Sequence, residues 1–219
     1  MAVLLSGAMF ILGGLGGWWG ASRPTDGAME SLAWTYSSAI VAQIPVIIAY
    51  VSMRKRFGSR HLAETSTVAF VVFVPMALAA AGLLHGLFSS FGVEPSTKLG
   101  HETLEKLSNG HWTVFAWVVV LCVTVGAGIV EEVLYRGLIL PTFTAVLSGK
   151  TAWGAIVATS VFFALMHAGA APPSAIVGLF VLSLGLCWAR VKSGGVLAPI
   201  LIHVVFNTMN IAFVYSTHL

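Results

Sequence analysis

The chain has 219 residues, of which 58% are hydrophobic and only 9% charged, with a mean hydropathy of +0.93. A soluble domain carries about a quarter charged residues, so this composition points away from a water-soluble fold and towards one integral-membrane domain over residues 1–219. The net charge of +3 is small and scattered, which points away from nucleic acid as a partner.

Crossing about 30 Å of hydrocarbon takes roughly 20 apolar residues in a helix. About seven such spans fit, with six to eight possible, giving an all-α polytopic helix bundle in the lipid bilayer. The first span covers about 2–21. It ends in Trp18-Trp19 and has no Lys or Arg before it, which favours a retained span over a signal peptide. A polar loop with Arg23, Asp26 and Glu30 leads to a second span at about 32–53. The most basic loop follows, Arg54-Lys55-Arg56 with Arg60, opposed by Glu64. A third span covers about 66–90. The longest polar stretch, about 93–111, reads as a solvated loop with a short surface helix. A fourth span runs from Trp112 into Glu131, and 133–149 reads as a second apolar piece broken by Gly137 and Pro141. Spans five, six and seven cover about 151–168, 174–190 and 195–216.

Placing the 54–64 loop in the cytoplasm puts eight of the eleven Lys and Arg on that side. With seven spans, this bias predicts a cytoplasmic N-terminus and a C-terminus outside. Most tryptophans lie near span ends, as an interfacial belt does. Cys122 and Cys187 lie in apolar runs and read as small buried hydrophobes. The glycines at 13–17 and 126–128 suit close helix packing.

The chemistry lies in three stretches: Glu131-Glu132-Val-Leu-Tyr-Arg136, then Phe163-x-x-x-His167, then His203-x-x-x-Asn207. Ionisable groups in hydrocarbon cost a few kcal/mol each on insertion scales and mark function by default. Glu132 and Arg136 are four apart and share a helix face, so they pair. Glu131 is turned about 100° away and is left for other work. A partly desolvated carboxylate suits a general base near neutrality. His167 is placed to hold or deprotonate water. His203 and Asn207 share a face and can both donate to one oxygen, and such donors stabilise an oxyanion by a few kcal/mol each in a dry site. Pro199 is positioned to kink the span ahead of His203. Glu131, His167 and His203 also suit a three-ligand zinc site with an open water position.

Together the three stretches resemble the CPBP family of intramembrane proteases, also called the CAAX protease and bacteriocin-processing or Abi family, with CAAX prenyl protease 2 as eukaryotic relative. The resemblance covers about residues 112–215. It implies an endopeptidase in which Glu131 activates water, His167 orients it, His203 and Asn207 form the oxyanion hole, and Glu132 and Arg136 support the site. It implies no required cofactor, although the family was long classed as a metalloendopeptidase and zinc stays open. The implied substrate is a membrane-embedded or membrane-associated peptide or protein, prenylated or not. The compact form and the Glu-Glu-Val-Leu-Tyr-Arg-Gly stretch point to a prokaryotic cell membrane. The rival readings are a catalytically silent membrane scaffold, a zinc-dependent variant of the same protease, and a carrier using the same groups as a proton relay.

One expectation conflicts with these span limits: Glu131 falls near the cytoplasmic end of span four and His167 near the far end of span five, yet they must meet. Among the other histidines, His85 reads as packed within span three, and His61, His101, His111 and His218 as solvated.

Overall fold

Inside a bilayer every backbone N–H and C=O must be satisfied within the protein, which leaves helices as the economical solution for so apolar a chain. The computed structural model describes residues 1–53, 57–58, 60–92, 101–147 and 152–216, and among these it is helical with no strand. The basic run at 54–56, together with Glu94, Lys98, Lys150 and His218, lies outside the described residues.

Eight helices follow one another: α1 (Ala2–Ala21), α2 (Ala28–Met53), α3 (Leu62–Ser90), α4 (Glu102–Asn109), α5 (Val114–Val146), α6 (Ala152–Leu165), α7 (Pro173–Ser193) and α8 (Leu197–Ser216). Among the described residues, α1, α2, α3, α5, α7 and α8 are long and apolar enough to cross a membrane. The helix at the fifth expected span, α6, has 14 residues. At 1.5 Å per residue it is about 21 Å long, short of a full crossing.

The expected break at Gly137 and Pro141 is absent: α5 runs 33 residues without interruption. It does so through two π-helical segments, Cys122–Gly126 and Val133–Ile139. At the end of the second, the Leu140 N–H reaches back five residues to the Tyr135 carbonyl. Pro141 follows at once, so its missing N–H falls where the helical register changes and the helix continues past it. Pro199 sits in the first turn of α8, where N–H groups have no helical partner anyway, so its missing N–H costs no helical hydrogen bond.

Glycines set the closest helix contacts. The α1 face carrying Gly13, Gly16 and Gly20 lies against the Gln43 side chain and the Ser38 and Trp34 carbonyls of α2. The Gln43 amide spans the same seam and donates to the Met9 carbonyl at 3.0 Å. Gly126 and Gly128 of α5 receive Ile40 and Val204. In the antiparallel pair α3 and α7, Gly178 faces the Ala77 carbonyl and Gly185 takes the Phe73 ring. This register carries the last turns of α3 beyond the start of α7. Leu83 and Phe91 are exposed there, and His85 is exposed too, correcting its reading as packed.

A side chain at Gly20 would meet α2 backbone, whereas Gly7 faces open space. Gly20→Val is therefore expected to cost about 1–3 kcal/mol and Gly7→Val almost nothing, as read from thermal denaturation of the two variants in detergent.

Candidate active site

The lengths of α5 and α6 solve the meeting of Glu131 and His167. Because α5 continues to Val146, Glu131 lies at mid-helix, fifteen residues from that end. His167 lies fifteen residues along from Ala152, just past the end of α6. Both positions are thus about 22 Å from the facing ends of α5 and α6, and His167 Nε2 stands 3.9 Å from Glu131 Oε2. The assumption that Glu131 ended a span was the error.

Beside it lies a closed ionic core. Arg136 Nη1 donates to Glu132 Oε1 at 2.8 Å, and both side chains are fully buried. His203 Nδ1 lies 2.7 Å from the same oxygen, and Arg136 Nη2 donates to Ser183 Oγ at 2.6 Å. The guanidinium sits 4.6 Å from the centroid of the Phe163 ring. One ring, Phe163, also meets Tyr135, His167 and His203, with centroids 5.0, 4.7 and 6.3 Å apart. The four helices α5, α6, α7 and α8 are joined through these contacts. Gly137 leaves room for Tyr50 of α2 to close against α5 behind the pair.

The hydrogen bonds fix which ring atoms do what. His167 Nδ1 lies 2.8 Å from the Phe163 carbonyl, which can only accept, so Nδ1 carries the proton. A neutral His167 then offers a lone pair at Nε2, towards Glu131. Glu132 accepts at His203 Nδ1, which leaves His203 Nε2 free of that bond. Asn207 Nδ2 donates to the Val123 carbonyl, inside the first π segment, at 2.7 Å. Its second amide hydrogen is not used by that bond. Glu131 and His167 are 26% and 19% exposed against 0% and 6% for Glu132 and His203, so the first pair lies nearer the surface, although the Glu131 Oε2 that faces His167 is itself buried and has no hydrogen-bond partner.

The expectation that His203 and Asn207 point together at one oxygen is qualified by these ties, since each has one donor engaged elsewhere. The zinc set of Glu131, His167 and His203 is not gathered as a cluster: among the described residues no three His, Cys, Asp or Glu side chains stand where a metal ion could be held.

His101 corrects its reading as solvated surface. It is partly buried, with its ring centroid 6.4 Å from that of His167. Its Nδ1 accepts the Thr103 N–H at 3.1 Å and so caps α4. Burial first, and then His167, hold its pKa below the ordinary 6.5, against smaller opposing pulls from Glu131 and Glu102. The imidazole is therefore neutral at neutral pH. The stability it lends is present above the ordinary value and lost as pH falls through the lowered one. The signal in the sequence was the spacing of Thr103 and Leu107, four apart and so on one helix face within a polar stretch, which α4 buries against the bundle.

Residues 113–209 match the family described as type II CAAX prenyl endopeptidase Rce1-like. That segment, under half of the 219 residues, is similar to the CAAX-protease-related family. An uncharacterized 24.3 kDa protein of Escherichia coli is 32% identical over 83 residues, which is 38% of this chain and 38% of that protein. The chain thus matches well under two thirds of that relative's length. No solved structure matches the chain. All of the residues singled out in the three motifs lie within the matched segment, and α1 to α4 lie before it.

Removing one partner of a buried ion pair leaves the other charge uncompensated, at a cost of about 3–5 kcal/mol. Arg136→Leu should therefore lower the thermal midpoint sharply in detergent, while Ser183→Ala, which removes one hydrogen bond to Arg136, should lower it far less.

Proposed function

We propose that the chain is an intramembrane endopeptidase that hydrolyses a peptide bond with water activated by Glu131. The observation that carries this reading is the division of labour between adjacent carboxylates: Glu132 is locked by Arg136 and His203, while Glu131 is partly open opposite the His167 Nε2 lone pair. A water oxygen can close the 3.9 Å gap by hydrogen bonding to both groups.

In the proposed reaction Glu131 takes a proton from that water as the oxygen attacks the peptide carbonyl carbon. His167 holds the water in line. The carbonyl oxygen becomes an oxyanion and is met by His203 Nε2 and the remaining Asn207 amide hydrogen. To donate there while also donating to Glu132, His203 carries both ring protons. Collapse of the intermediate breaks the C–N bond, and Glu131 returns its proton to the leaving amine. Glu132 and Arg136 hold the frame, and their burial keeps the donors fixed while charge develops.

The substrate is a membrane-embedded or membrane-associated peptide. The matched family's description, a CAAX prenyl endopeptidase, makes a prenylated C-terminal peptide the first class to test. The N-terminus is proposed to be cytoplasmic. In support, Arg60 and the last turn of α7, with Arg190 and Lys192, lie at one end of the bundle, where the Arg60 N–H meets the Ser193 carbonyl.

The test is cleavage of quenched prenylated and unprenylated peptides by the purified protein, with and without a strong chelator. The reading predicts cleavage that survives chelation and falls by roughly 10²–10³ in Asn207→Ala. Unchanged turnover in Asn207→Ala, or loss on chelation with return on added zinc, would sink this mechanism.

A further inference from the structure

His167 is not itself within a helix. It follows the end of α6, in a turn whose geometry rests on the Ala170 and Ala171 N–H groups, both 3.0 Å from the His167 carbonyl. On the α6 side the His167 ring is tied at Nδ1 to the Phe163 carbonyl and lies against the Phe163 ring, which leaves its outer edge unsupported by the turn itself. Besides Glu131, two contacts come from the start of α4 and its cap: the Glu102 N–H donates to the Ala170 carbonyl at 3.0 Å, and the His101 ring meets the His167 ring edge to face.

The start of α4 is itself fastened. His101 Nδ1 accepts the Thr103 N–H, the Thr103 hydroxyl lies 2.6 Å from the Tyr36 hydroxyl of α2, and Leu107 is buried among Ala33, Ala116, Val119, Ile211 and Val214. The polar face of α4 carries Glu102 and Lys106, which pair with each other at 2.6 Å. A helix of 8 residues is marginal by itself, so its position depends on these anchors.

We propose that His101 is a positioning residue for the reaction: it caps α4, which clamps the 167–171 turn, and its ring confines His167 opposite Glu131. This rests on the reading of His167 as the group that holds the attacking water. The Nδ1 acceptor role also fixes the His101 tautomer, with its proton on Nε2 when neutral. The ring that faces His167 therefore belongs to a side chain already oriented by the α4 backbone.

The experiment compares wild type with His101→Ala, His101→Asn and His101→Phe. Asn keeps a capping acceptor for Thr103 but has no ring. Phe keeps a ring but has no acceptor. Misplacement of a reacting group by about 1 Å can cost 10²-fold. His101→Ala should lower kcat roughly ten- to a hundredfold with KM little changed, and Asn and Phe should each restore part of it. A second readout does not need turnover: the rate of diethyl pyrocarbonate modification of His167, followed by mass spectrometry. It should rise several-fold in His101→Ala and in Tyr36→Phe, the latter serving if the alanine variant does not fold. A His167 modification rate equal to wild type in both variants overturns the proposal, whether or not any peptide is cleaved. Changed modification in a protein without peptidase activity would uphold the clamp and reject the protease reading instead.

Discussion

Everything in this molecule is arranged around one buried carboxylate. Glu132 and Arg136 sit in the interior with no solvent exposure, and His203 adds a second donor to the same oxygen. Taking such charges out of water costs several kcal/mol each, and attraction offsets that only with good geometry and further hydrogen bonds. The chain supplies these from four helices: the pair itself from α5, His203 from α8, Ser183 from α7 and the Phe163 ring from α6. The helices cannot shift independently without stranding a charge. This explains how a bundle with little hydrophobic drive between its helices keeps a defined centre.

The same constraint frees the neighbouring residue. Two adjacent glutamates on a helix point about 100° apart, so fixing one aims the other. Glu131 faces the end of α6, and the shortness of α6 brings His167 to its level. The π segments of α5 flank this level on either side. One presents the Val123 carbonyl to Asn207, and the other carries Tyr135 and Arg136 into the core and lets Pro141 pass without a break. An extra residue per turn is a local cost, and here it falls where side chains must be aimed.

Much of this was legible in the sequence. The apolar runs gave the long helices because hydrocarbon length and backbone satisfaction leave few choices. The spacing of Glu132 and Arg136 implied their pairing, since residues four apart on a helix are neighbours. What was not legible depended on tertiary partners. Gly137 and Pro141 read as a break because propensity sees their local preference and not the π register that absorbs it. His85 read as packed because nothing local reveals that α7 stops short of the last turns of α3. The same limit applied to His101: a histidine in a polar stretch looks solvated until α4 is seen docked with its cap against the His167 turn. His203 pairing with Glu132 is a contact across 71 positions of sequence, beyond any periodicity.

The proposed reaction gives the two adjacent glutamates separate roles, Glu132 structural and Glu131 chemical. The most direct measurement is a side-by-side determination of thermal midpoint and peptide turnover for Glu131→Gln and Glu132→Gln. The account predicts a wild-type midpoint with no measurable turnover for Glu131→Gln, and a markedly lowered midpoint for Glu132→Gln, whose loss of charge leaves Arg136 unpaired in the core. A Glu131→Gln protein that still cleaves, or a Glu132→Gln protein as stable as wild type, would contradict it.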